Sequence, residues 1–135
     1  MKTVRLVSKP VAPPWNDASK NIVRTLLEGS EQYHYRFFGI QAAAHPEGEN
    51  LSCDPIFSRS SSFNPTLLEN LRPLLHLLRR EPEVDLYHFF FSPNPRTSLA
   101  LRLLLSVKSQ RTVHTICSCP PDLGNIQKLL FADRI

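Results

Sequence analysis

In the stretch PPWNDASKN, residues 13 to 21, Asn16, Asp17 and Ser19 stand between a proline-rich loop and an apolar-periodic segment. Asx and Ser side chains in that place cap a helix by accepting its first amide protons. The same unpaired amides, at the positive end of the helix dipole, also attract a phosphate or another anion. Capping and anion binding are therefore the two chemistries open to this segment. Cys53, Cys117 and Cys119 form an odd set at no metal-site spacing, and a Cys-Ser-Cys pair alone is a weak zinc or redox signal, so reduced thiols and no metal are expected. A G-x-S-x-G elbow is absent, which leaves a self-contained hydrolase unsupported. Without a P-loop or a G-x-G-x-x-G run, an NTPase and a classical dehydrogenase are disfavoured too, and no catalytic residue is assigned.

The chain has 135 residues, which suits one domain spanning 1–135. Its 41% hydrophobic and 21% charged residues are an ordinary globular composition. A net charge of +4 permits anionic partners, but the basic residues are scattered without interleaved stacking aromatics, so nucleic acid is not expected. The first apolar run is too short for a signal peptide and no run approaches a membrane span, which points to the cytoplasm, with peripheral contact at the inner membrane surface left open.

Nine segments must position these residues. The run TVRLVS, residues 3 to 8, reads as a buried strand; Asn16 or Asp17 then caps a helix whose stripe is Ile22, Val23, Leu26 and Leu27, with Gly29 as its stop. YHYRFFGI, residues 33 to 40, is a second strand, followed by a long connection from Gln41 to Pro55 and a short edge piece at PIFS. Asn64-Pro65 starts a helix in which Leu67, Leu68, Leu71, Leu74, Leu75 and Leu78 recur. Pro73 should kink or divide it, and its leucines are expected to face the core rather than a membrane surface or a partner. VDLYHFFFS, residues 84 to 92, has the continuous apolar character of an interior parallel strand. RTSLALRLLLSVK follows as a helix, RTVHTICS as a strand, and a last helix begins at Asp122. Alternating strands and helices imply an α/β, doubly wound parallel sheet whose ligands sit at the carboxyl ends of the strands, in loops 9 to 17, 92 to 97 and 117 to 122.

The segments SKPVAPPWNDASKNIVRTLL, DLYHFFFSPNPRTSLALRLLL and RTVHTICSCP with the terminal FADRI, in this order, resemble the N-terminal domain of GT-B glycosyltransferases of family 4. The resemblance spans essentially the whole chain. It implies a Rossmann-like, acceptor-side domain of a retaining, metal-independent enzyme that transfers a hexose from a nucleotide-sugar to a glycan or lipid-linked acceptor. It also implies that ADRI opens a strand leading to a missing C-terminal domain that grips the nucleotide-sugar. On that reading the chain is a fragment, inactive or nearly so by itself, with exposed apolar surface and either marginal stability or self-association. The competing reading is a stand-alone, non-catalytic Rossmann-like module that binds a nucleotide or a protein.

Site candidates follow from this placement. In such relatives the loop after the first strand is often glycine-rich and faces a diphosphate; here residues 9 to 28 contain no glycine. Asn16, Ser19 and Lys20 can still donate to a phosphate or sugar hydroxyl, and Asp17 can cap the helix or accept from a sugar. Trp15 offers an apolar platform for a sugar ring or lipid, or packs over the domain's edge. His88 lies where relatives carry cleft histidines, though a lone strand histidine is more often a bonded core residue. Cys117 or Ser118 falls where relatives carry a histidine at a strand end, and His114 is expected to be structural. Asn94, Arg96 and Thr97 open the helix after the interior strand, where Arg96, opposed to the dipole, binds an anion or stands in solvent.

Overall fold

Five strands hydrogen-bond in the order β3-β2-β1-β4-β5, all parallel. The structure, a computed structural model, describes residues 1–29, 31–41, 43–58, 67–79, 81–118, 124 and 126–135. The elements run β1 Lys2–Val7, α1 Ala18–Gly29, β2 Tyr33–Ile40, β3 Leu51–Phe57, α2 Leu67–Leu77, β4 Leu86–Phe90, α3 Pro95–Leu105, β5 Arg111–Thr115 and α4 Ile126–Leu129. Right-handed crossovers require the helix that leads outward from β1 to β2 and those that lead back to β4 and β5 to lie on opposite faces. The two apolar clusters agree. Val4, Leu6, Tyr35, Phe37 and Phe90 pack with Val23 and Leu27 of α1. Val7, Phe38, Ile40, Tyr87 and Phe89 pack with Leu77 of α2 and Leu101 of α3. This is a doubly wound, Rossmann-like α/β fold, and its strand order reverses between β1 and β4.

Three local expectations need correction. The third strand begins at Leu51, well before PIFS, because the polar Ser52 and Asp54 mask its alternation; it tolerates the internal Pro55 as an edge strand that pairs only with β2. Of the kink or division expected at Pro73, the division does not occur: α2 continues to Leu77. The leucine stripe is split: Leu77 is buried and Leu74 packs on the core, whereas Leu71, Leu75 and Leu78 are exposed. The leucines cover a broad half of the helix surface opposite Glu69, Arg72 and His76, and among the described residues the sheet covers only the Leu74 and Leu77 border of it. The Asn64-Pro65 and Asp122 helix starts lie outside the described residues. At the chain's end, Val113 and Arg134 form an isolated parallel bridge beside β5.

The most consequential side chain in the sheet is charged. Arg5, mid-way along β1, is fully buried on the α2/α3 face. Its guanidinium donates to Asp54 on β3 and to Glu81 in the loop before β4, and it lies 5.1 Å from the centre of the Phe38 ring. Glu81 also accepts from the Tyr87 hydroxyl at 3.2 Å, and Arg36 adds a contact to Asp54 at 3.5 Å. Each charge is thereby matched in a region where an unmatched one is costly. Arg5→Met, leaving the buried Glu81 carboxylate without its cation, should lower stability by about 3–5 kcal/mol, and Arg5→Met/Glu81→Leu should recover most of that loss. Urea-unfolding midpoints of the two variants test this, and equal loss in both would contradict it.

Candidate functional site

At the β1/β4 reversal a groove of about 540 Å³ opens at the carboxyl edge on the α2/α3 face. Val7, Phe89 and Phe91 line it from the strand ends, and Leu74 of α2 and Leu101 of α3 from the helices. Ser92, Asn94, Arg96 and Thr97 supply its polar groups. Asn94 is held in place because it caps α3: its Oδ1 accepts from the Thr97 amide at 3.0 Å, and Pro95 occupies the first helical turn, where a missing N–H costs nothing. Arg96 is exposed one residue further on. The Ser92 hydroxyl shares a hydrogen bond with that of Ser118, which ties the end of β4 to the segment after β5.

The opening loop is organised differently. The Asp17 Oδ1 accepts from the Ser19 amide at 2.9 Å and the Lys20 amide at 3.4 Å, and also from the Ser19 hydroxyl. Its Oδ2 pairs with Lys9 at 2.6 Å. Burial alone would raise this carboxyl, but the Lys9 and Ser19 bonds, the Lys9 charge and the Lys20 amide outweigh it and hold the pKa near 2. The start of α1 thus contains an anion of the chain's own. Lys20, also buried, donates from Nζ to the Ala12 carbonyl at 3.1 Å and the Pro14 carbonyl at 3.5 Å, and burial lowers its pKa. Val11 is anchored to β2 through its amide and the Phe38 carbonyl at 3.0 Å. Trp15 packs half-buried against the α1-side cluster, with the Arg24 guanidinium 4.9 Å from its ring centre, and Asn16 is exposed.

His88 belongs to the same side. It alternates with Phe89 along β4, so it faces away from the groove; its ring lies 4.0 Å from that of Phe90, and its Nε2 shares a 2.8 Å hydrogen bond with the Thr115 hydroxyl. Burial, reinforced by His114, pushes its pKa down to about 4, so the ring is neutral at pH 7. His114 is buried between the rings of Phe91 and Phe131, each 4.7 Å away, and shares a 3.0 Å bond with the Phe91 carbonyl. Burial likewise raises the thiol pKa values of Cys53, to about 11, and of Cys117, which disfavours the nucleophilic thiolate. The sheet therefore separates the candidates. Asn94 and Arg96 share the groove, Ser118 reaches its margin through Ser92, and Trp15, Asp17, Ser19, Lys20 and His88 belong to the α1 side.

One grouping had no motif to announce it. Asp54, His76 and Glu81 present ligand-type atoms within 4.8 Å of one another. His76 Nε2 stands 3.9 Å from Asp54 and 3.8 Å from Glu81, but the Arg5 guanidinium already bonds both carboxylates and fills the role a metal cation would take. Burial and the Arg5 charge lower the His76 pKa against the pull of the two acids. The only hint in the sequence is an arginine inside the run TVRLVS.

The Asp17 cap makes a pH-dependent contribution. Its folded pKa lies below the ordinary 3.8, so the stabilisation is complete above that pH and is lost as pH falls through about 2. Asp17→Ala should cost about 1 kcal/mol at neutral pH and flatten the stability profile across that acid window. Chemical denaturation at a series of pH values checks both effects; an unchanged acid limb would contradict the assignment. Comparison of the chain with protein-family models, with curated proteins and with solved structures finds no match.

Proposed function

We propose that this domain holds the acceptor for a sugar transfer, as the acceptor-side half of a GT-B type glycosyltransferase, with the nucleotide-sugar gripped by a second domain. The observation that carries the reading is the groove at the β1/β4 reversal, the place where open α/β sheets bind ligands. Its apolar floor suits the aglycone or lipid portion of an acceptor. Asn94, Arg96 and Thr97 beside it suit hydroxyls and an anionic group. The α1 start supports the division of labour: with Asp17 in the helix mouth and no glycine from residue 9 to residue 28, a nucleotide diphosphate would meet a carboxylate instead of open amides. No step of the transfer itself is assigned to a residue of this chain.

The test uses octyl β-glucoside, below its micelle concentration, as an acceptor-like amphiphile and UDP-glucose as a donor, each titrated into the chain and followed by amide NMR shifts. Octyl glucoside should perturb residues 92 to 97, and Arg96→Ala should leave that neutral ligand's binding nearly unchanged while weakening an anionic counterpart, octyl phosphate, about tenfold. UDP-glucose should perturb neither loop. Binding of UDP-glucose at residues 9 to 20 without any response to the glucoside would favour a nucleotide-binding module, and sugar transfer by the chain alone would overturn the division of labour.

A further inference from the structure

The outer faces of α2 and α3 carry large apolar side chains that the fold leaves uncovered. Leu71, Leu75 and Leu78 follow one another at helical spacing on and just beyond α2; Leu99 and Leu103 do so on α3, with Val107 past its end. Leu75 is 60% exposed, Leu78 61%, Leu103 66% and Val107 82%. The two helices lie on the same face of the sheet, one on either side of the groove. Both wall the carboxyl-edge groove, and at their other ends Lys108 Nζ donates to the Arg79 carbonyl at 2.9 Å. These residues therefore share one side of the molecule. Single exposed leucines are ordinary on a protein surface, whereas a contiguous group of them marks an interaction site.

The charges around this face select its partner. From Ser92 to Arg111 there is no acidic residue; Arg96 and Arg111 stand exposed there, while Arg102 is bonded to the Gln127 and Leu130 carbonyls and Lys108 to the Arg79 carbonyl and the Tyr87 hydroxyl, neutral partners that leave both positive charges in place. On α2 and its end, Arg72 and Arg79 stand against Glu69. The nearest acids after α2 are already engaged: Glu81 with Arg5, Glu83 with Arg36, and Asp85 with the Thr3 amide. A second copy seated on the face would bring like charges together. An anionic bilayer is complementary, since leucines enter the headgroup boundary while the exposed Arg79 and Arg96 meet lipid phosphates and keep their stems in the apolar layer. We infer that the outer face of α2 and α3 docks this chain on an anionic membrane surface. No helix among the described residues is long and apolar enough to cross a membrane, and the contact inferred is with the surface. The inference does not depend on the sugar-transfer reading.

Sedimentation with lipid vesicles tests it on the full chain. Vesicles of phosphatidylcholine and phosphatidylglycerol in equal parts should bind the protein, vesicles of phosphatidylcholine alone should bind it weakly, and added salt should reduce the binding. Leu75→Ser/Leu103→Ser should lower partitioning about tenfold or more, and because both side chains are exposed the thermal midpoint should stay where it is. Arg79→Glu, which keeps the leucines, should weaken binding to the anionic vesicles alone. Absence of binding to the mixed vesicles at low salt, or binding that the leucine variant does not diminish, would overturn the inference. So would a wild-type dimer in analytical ultracentrifugation that the leucine variant dissolves while vesicles bind neither, since the face would then belong to a second copy.

Discussion

A guanidinium enclosed in the middle of a parallel sheet must have carboxylates brought to it, and that requirement fixes much of this fold. Arg5 on β1 recruits Asp54 from the edge strand β3 and Glu81 from the loop between α2 and β4. One side chain thus couples three segments far apart in sequence, through charge-assisted bonds shielded from water. A two-residue slide of β3 along β2 would keep every side chain on its own face of the sheet. A carboxylate that must meet a particular guanidinium is sensitive to it, so the network favours one register.

The network also divides the molecule into two ends. Glu81, Tyr87 and Lys108 gather towards the amino ends of β4 and β5, where Lys108 Nζ meets the Tyr87 hydroxyl at 3.1 Å and burial and the nearby Glu81 charge push the Tyr87 phenol far up. This end is committed to structure. The carboxyl end is committed differently on its two sides: around α1 the loop satisfies itself through Asp17, Lys9 and Lys20, while between α2 and α3 an apolar groove meets polar groups that face outward. The amides at the start of the first helix are occupied by the chain's own carboxylate, and the start of the third borders the open groove.

The fold was legible because its strongest signals are local. YHYRFFGI and the LYHFF core of the interior strand carry enough apolar and β-branched or aromatic character to be read as strands, and Asx residues mark the starts of α1 and α3. Two features escaped because their causes are non-local. The start of β3 is hidden by Ser52 and Asp54, whose polarity makes sense only once His34 lies beside Ser52 and Arg5 and Arg36 beside Asp54. The periodicity of α2 marks a broad leucine face but not which border of it turns inward: the sheet takes Leu74 and Leu77 and leaves Leu75 and Leu78 exposed. Asn94, Arg96 and Ser118 lie towards the carboxyl edge of the sheet, but strand parity places His88 on the face opposite the groove, and parity is settled by pairing with β1 and β5.

β3 has one further bearing, on what the sheet does not do. Its outer edge would offer a row of backbone donors and acceptors to any passing extended chain. Pro55 removes one donor from that row and lies exposed on it, the neighbouring Asp54 carries a charge, and Arg72 occupies the Ile56 carbonyl with a 2.9 Å bond from α2. On the opposite border, the bridge between Val113 and Arg134 covers part of β5. Both borders are thus poor templates for strand addition, and an all-parallel sheet with two interrupted margins resists the edge-to-edge growth that leads from a folded domain to an amyloid-like fibre.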